Sequence, residues 1–278
     1  MLIEPFEQKS VAAFELSPSA FSKGQIRLGF TSRNGGYSTM PYASFNMGYH
    51  VGDVAESVTN NRLRLGELLH ISGSQWITPE QVHGNAVMRV SKRQGGRGAL
   101  DIESAIPACD GLYTTDQDVL LTACFADCVP VFFYAKRFPA IGIAHAGWKG
   151  TSEEIVGEMV RAWVDEFRLD PEEIYAVIGP SIGSCCYEVD DKVIKAVQML
   201  PEVDVSRAIE EKNNGKYMLN LKLINQLILQ KYGLLEKNIS VSHYCTGCRT
   251  DLFFSHRMEK GRTGRMLGYI GLLSGDVE

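Results

Sequence analysis

LLTACFADCVPVFFYAKRFPAIGIAHAGWKG, Leu120 to Gly150, decides how the rest of the chain is read. Residues 120–125, 129–134 and 140–144 are short, apolar, β-prone runs. An antiparallel hairpin over the last two, centred on Lys136-Arg137, sets Cys128 opposite His145. Directly opposed residues share a face, with Cβ atoms roughly 4.5–5.5 Å apart. A thiolate and an imidazole so placed can share one metal ion. Lys-Arg is not the Asn-Gly type of a two-residue turn, so a looser loop about the same centre is expected.

A second stretch, Gln-Val-His-Gly (Gln81 to Gly84), offers His83. Spacing alone does not bring it to the hairpin. With His83, Cys128 and His145 together the chain has three ligands and an open fourth position, the pattern of a catalytic zinc site rather than a closed structural one. The same His₂Cys set also suits a copper site. Cys128 with His145 alone would suit a cysteine hydrolase, as nucleophile and base. Gly84, Gly147 and Gly150 allow close backbone approach around these residues.

Composition narrows the field. The 278 residues are 45% hydrophobic and 22% charged, ordinary for a globular protein. A net charge of −5 argues against broad binding to nucleic acid or an anionic membrane surface. The N-terminal residues show no basic n-region with a long apolar h-region, and no apolar run reaches spanning length, so a cytoplasmic location is expected. Seven cysteines, an odd number, fit reduced, buried, metal-bound or catalytic thiols better than a disulfide framework.

No linker or repeat divides the sequence, which predicts a single domain over residues 1–278. Residues 25–31 read as a strand, and 54–69 as a helix with Val58, Leu63, Leu65 and Leu69 on its apolar face. Residues 76–90 read as strand, turn, strand, with His83 near the turn. Thr151 is the expected N-cap of a helix reaching Phe167. Residues 174–178 read as a buried strand, and 220–232 as a helix stopped by Gly233. Strands at 239–243 and 266–272 close the chain. Strands outnumber helices in irregular order, which predicts an α+β layered sandwich with mixed β-sheets and flanking helices.

Beyond these patterns, TSRNGGYS, PYASFNMGYHVGD, NNRLRL, QVHGNAV, DGLYTT, TACFADCVPVFFY, IAHAGWKG, GPSIGSCCYEV, DLFFSHR and TGRMLGYI run from Thr31 almost to the C-terminus. In these motifs the chain resembles the laccase-domain family, the multicopper polyphenol oxidase-like group whose members look like purine nucleoside phosphorylases. The resemblance implies zinc on His83, Cys128 and His145. It also implies phosphorolysis of adenosine, inosine and methylthioadenosine by inorganic phosphate, with adenosine deamination as a further activity. Copper-dependent polyphenol oxidation is the rival that the family name invites.

Phosphorolysis needs cationic donors for phosphate beside the ribose. Arg33, next to Gly35-Gly36, and Arg257, in Phe-Phe-Ser-His-Arg, are the anion contacts expected, since arginine suits bidentate phosphate binding. Asn46 and Lys149 are further candidates for substrate contact. Asp127, beside a ligand, is a candidate for proton transfer or for orienting the ligand. Gly179-Pro180-Ser181-Ile182-Gly183 reads as a tight turn shaping a pocket wall. Cys185-Cys186 reads as packing. Cys245-x-x-Cys248 is half of a zinc or redox motif with no second CxxC to complete it, and reads as structural.

Overall fold

The computed structural model describes residues 4–16 and 26–274; Gln25, the first residue of one expected strand, lies outside them. In chain order the elements begin β1 (Phe6–Gln8), β2 (Ala13–Leu16), β3 (Ile26–Thr31), α1 (Ala55–Leu69), β4 (Trp76–Ile77), β5 (Val87–Arg89) and β6 (Gly111–Thr114). They continue β7 (Val119–Phe125), β8 (Val129–Ala135), β9 (Ile141–Ala146), α2 (Trp148–Ser152), α3 (Ile155–Phe167) and β10 (Ile174–Ile178). The last are β11 (Glu188–Val189), α4 (Asp191–Gln198), β12 (Ile209–Glu211), β13 (Tyr217–Leu219), α5 (Leu221–Lys231), β14 (Ile239–Val241) and β15 (Met266–Leu272).

Two six-stranded sheets dominate, ordered β1-β2-β3-β15-β7-β4 and β14-β10-β8-β9-β6-β5. Both are mixed: β4–β7, β10–β14 and β5–β6 pair parallel and the other neighbours antiparallel. Alternation along β8 shows how they stack. Phe132 and Tyr134 face Phe30, Phe125 and Ile270 in a core between the sheets. Val131, Phe133 and Ala135 face Met159 and Trp163 of α3 and Ile224 and Ile228 of α5. The outer face of the first sheet packs Leu120, Leu267 and Tyr269 against Leu65 and Leu69 of α1. Each large apolar side chain buried this way contributes roughly 1.5–3 kcal/mol. The layered α+β sandwich expected from the sequence is therefore the architecture observed.

Several local expectations are corrected. In the β8–β9 hairpin His145 pairs with Pro130, not Cys128, and the loop is five residues, Lys136 to Ala140. Pro139 has no N–H to give a ladder, and Phe138 packs on Phe167 of α3 with ring centroids 5.1 Å apart, which draws both into the loop. The slip is two residues, so Cys128 and His145 keep a common face as diagonal rather than direct neighbours. Residues 76–90 do run strand, turn, strand with His83 at the bend, although β4 joins one sheet and β5 the other. Thr151 lies inside α2 and caps nothing; its hydroxyl bonds Asn225 at 3.0 Å, and Glu154, at φ 57°, separates α2 from α3. Leu63 is 46% exposed, off the apolar face of α1. Among the described residues, no helix is long and apolar enough to cross a membrane.

Candidate metal centre

Cys128 immediately precedes β8, His145 stands near the end of β9, and His83 occupies the loop between β4 and β5. The pleat that sends Ile141 and Ile143 into the inter-sheet core sends His145 to the same face. The ligand atoms of His83, Cys128 and His145 all lie within 4.8 Å of one another. His83 is exposed, Cys128 half-buried and His145 buried, so the site opens on one side.

Asp110 explains why His83 converges on the hairpin. It stands just before β6, whose pairing with β9 brings its carbonyl to the His145 amide at 2.8 Å. Its carboxylate accepts His145 Nδ1 at 2.7 Å and the backbone N–H groups of Val82, His83 and Gly84 at 3.1, 3.0 and 2.8 Å. One buried side chain thus ties the His83 loop to the His145 ring, and it leaves His145 Nε2 to face Cys128. His83 itself adopts φ 63°, a left-handed conformation that these three N–H bonds compensate.

Gly147 supplies the remaining room. A Cβ there would stand 3.1 Å from Cys128 Sγ and 3.4 Å from His83 Cδ2. The donor set and this clearance fit a borderline or soft metal ion.

The electrostatics agree. Burial alone would raise the Cys128 thiol, but His145 and His83 outweigh it and hold the thiol down at about 6. Burial disfavours an imidazolium at His145, yet the Cys128 thiolate and Asp110 push it up to about 9. Without a cation the pair is a thiolate beside an imidazolium, and a metal ion replaces the shared proton. At pH 7.5 Cys128 is already deprotonated whereas His145 is not, so metal uptake releases about one proton per ion. Affinity should rise roughly tenfold per pH unit between about 6 and about 9. Calorimetric titration in buffers of different ionisation enthalpy measures both; affinity independent of pH in this window would contradict the assignment.

The triad opens into a cavity of about 600 Å³, a size typical of small-molecule sites. Tyr49, Trp148 and Tyr187 supply aromatic walls, and Arg62, Arg257 and Arg265 supply cations. Burial, then Arg265 and Arg62, lower His50 to about 4, so the imidazole in this wall is neutral at pH 7.

Of the residues singled out from the sequence, Arg257 reaches the cavity, over the Tyr187 ring at 5.1 Å. Arg33 does not line it: its guanidinium pairs with Glu259 at 3.0 Å, donates to Thr250 and Ala43 carbonyls, and covers Phe254. Asn46 is fully buried and lies behind the wall, where its Oδ1 accepts the Arg265 backbone N–H at 2.8 Å. Lys149 is exposed, 5.8 Å from the Trp148 ring and outside the cavity lining. Asp127 lines the cavity at φ 83°, with its oxygens accepting Thr246 Oγ1 at 2.6 Å, Ser255 Oγ at 3.1 Å and the Arg257 N–H at 2.7 Å. These bonds make it an anchor of the strained turn before Cys128. Sequence reasoning missed Asp110, although Asp-Gly before an apolar strand marked the position, and it missed Arg265 and Tyr187.

A family model described as multi-copper polyphenol oxidoreductase laccase matches residues 27–273. The purine nucleoside phosphorylase YlmD of Bacillus subtilis is 44% identical over 248 residues, 89% of either chain. The protein of that name from Geobacillus stearothermophilus is 46% identical over 243 residues, 87% of this chain and 89% of its own. The crystal structure of the Geobacillus stearothermophilus YlmD superposes with a TM-score of 0.94 at 43% identity, covering 98% of this chain and all of the other.

Proposed function

We propose that this chain, which belongs to the multi-copper polyphenol oxidoreductase laccase family, is a zinc-dependent purine nucleoside phosphorylase. The observation that carries the reading is the open His83/Cys128/His145 set facing a cavity with aromatic and arginine walls. Relatives named as purine nucleoside phosphorylases support the substrate class. The substrates are adenosine, inosine and methylthioadenosine.

In the reaction, a phosphate oxygen forms a bond to ribose C1′ as the C1′–N9 bond breaks. The sugar is released as its 1-phosphate, and the departing purine takes up the proton that the phosphate loses on forming the ester. Arg257 and Arg265 hold the phosphate; they replace Arg33, whose guanidinium is spent on Glu259. Asn46 acts behind Arg265 by fixing its backbone. The rings of Tyr49, Tyr187 and Trp148 hold the purine. Zinc held by His83, Cys128 and His145 would supply Lewis acidity at its open position. Adenosine deamination belongs to the same reading as a side activity.

Adenosine supplied with and without inorganic phosphate, followed by separation of products, tests this. Adenine with ribose 1-phosphate, only when phosphate is present, is expected, with a minor yield of inosine. Inosine alone in both conditions would replace the phosphorylase by a deaminase.

One observation favours a second reading. Asp110, His145 and Cys128 lie in the order of an acid–base–nucleophile triad, with the His–Asp bond at 2.7 Å. His83 has no part in such a triad. Thiol alkylation separates the two: zinc protects Cys128 in the metal enzyme, whereas a hydrolase loses activity to alkylation and ignores chelators.

A further inference from the structure

A second cluster stands apart from the triad. Cys185, Cys186, Cys245 and Cys248 have all four Sγ atoms within 4.8 Å of one another. Cys248 Sγ lies 3.3 Å from Cys185 Sγ and 3.4 Å from Cys186 Sγ. A disulfide needs about 2.05 Å. A tetrahedral zinc tetrathiolate, with Zn–S about 2.3 Å, has edges of about 3.8 Å. Two observed spacings fall about 0.4 Å short of that edge, far outside disulfide range, and none of the four sulfurs is more than 4.8 Å from another. The missing partner of Cys245-x-x-Cys248 is therefore the adjacent pair Cys185-Cys186, which is not mere packing.

The fold brings the two pairs together for a simple reason. β10 and β14 are parallel neighbours, so the chain leaves both at the same end of the sheet. The segment after β10 carries Cys185-Cys186 and the segment after β14 carries Cys245 and Cys248. A bridge between Ser181 and Cys245, with the Thr246 amide on the Ser181 carbonyl at 3.1 Å, locks the segments in register. The space is cleared for sulfur: a Cβ on Gly247 would meet Cys186 Cβ at 2.8 Å.

The surroundings suit a negatively charged sulfur cage. The Gly183 N–H donates to Cys245 Sγ at 3.2 Å. Buried Lys222 donates to the Ser242 and Tyr244 carbonyls at 2.8 and 2.6 Å, and its ammonium acts on both Cys245 and Cys185. Cys185 and Cys248 are exposed, which gives an ion a way in.

We propose that these four cysteines form a second metal site, a closed zinc tetrathiolate with a structural role. Four Cys–SH groups and one Zn²⁺ give Zn(SCys)₄ with a double negative charge, and four protons pass to solvent. Its purpose follows from its neighbours. Tyr187, next to Cys186, is a cavity wall, and Thr246, between Cys245 and Cys248, bonds the Asp127 carboxylate at 2.6 Å. The cage thus staples one wall of the cavity, and it does not rest on the phosphorylase reading.

Metal analysis of the full chain, purified under reducing conditions with zinc in the medium, tests it. Wild type should carry about two zinc per chain. His83→Ala and Cys248→Ser should each carry about one. Anaerobic Co²⁺ loading of His83→Ala should give the intense sulfur-to-cobalt absorption of a tetrahedral thiolate site, a readout that needs no cysteine variant to fold. A single zinc that vanishes in His83→Ala, with all four thiols open to alkylation in the metal-loaded protein, would overturn it. A disulfide among the four, or iron with acid-labile sulfide, would overturn it equally.

Discussion

His83→Ala lowers kcat/KM for adenosine phosphorolysis by at least about 10³-fold, on the order of 4 kcal/mol of transition-state stabilisation. The effect is large because the substitution leaves only Cys128 and His145 to hold the ion. It is clean because His83 is exposed and its backbone, not its ring, makes the bonds to Asp110. Melting of metal-stripped variant and wild type should therefore agree closely. Activity measured after metal analysis checks both parts. A His83→Ala enzyme that keeps wild-type turnover would remove the triad from the mechanism.

Asp110→Asn has the next largest effect, and through a different route. The carboxylate accepts four hydrogen bonds, three from consecutive backbone amides and one from His145. An amide keeps one oxygen and turns its NH₂ toward groups that are themselves donors, so two donors, at least one of them a part-buried backbone N–H, lose their acceptor. At about 1–3 kcal/mol each, stability falls by about 2–6 kcal/mol. Metal affinity falls by about 10–100-fold, because the orientation of His145 and the placement of His83 both depend on this group. Denaturant unfolding and metal titration measure the two losses separately. Unchanged affinity with reduced stability would confine Asp110 to the fold.

The legible and illegible parts of this chain divide by how far a contact reaches. Cys128 and His145 could be paired from the sequence because a hairpin is local and its alternation survives a slip of two residues. The slip itself depended on Phe138 packing against α3, a tertiary contact. His83 could be named but not brought in, because a carboxylate 27 residues away does the joining. Arg33 lies away from the cavity for a similar reason: its partner Glu259 is 226 residues distant. Cys245-x-x-Cys248 looked like half a motif because its complement, Cys185-Cys186, reaches it only through the parallel pairing of β10 with β14.

Metal-stripped protein reloaded with zinc or with copper, and assayed both for phosphate-dependent release of adenine and for oxidation of a phenol, bears most directly on the assignment of the triad. Zinc should restore adenine release in proportion to occupancy of His83, Cys128 and His145, with no phenol oxidised in either sample. Phenol oxidation restored by copper, with zinc inert in both assays, would make this chain an oxidase and the phosphorylase reading wrong.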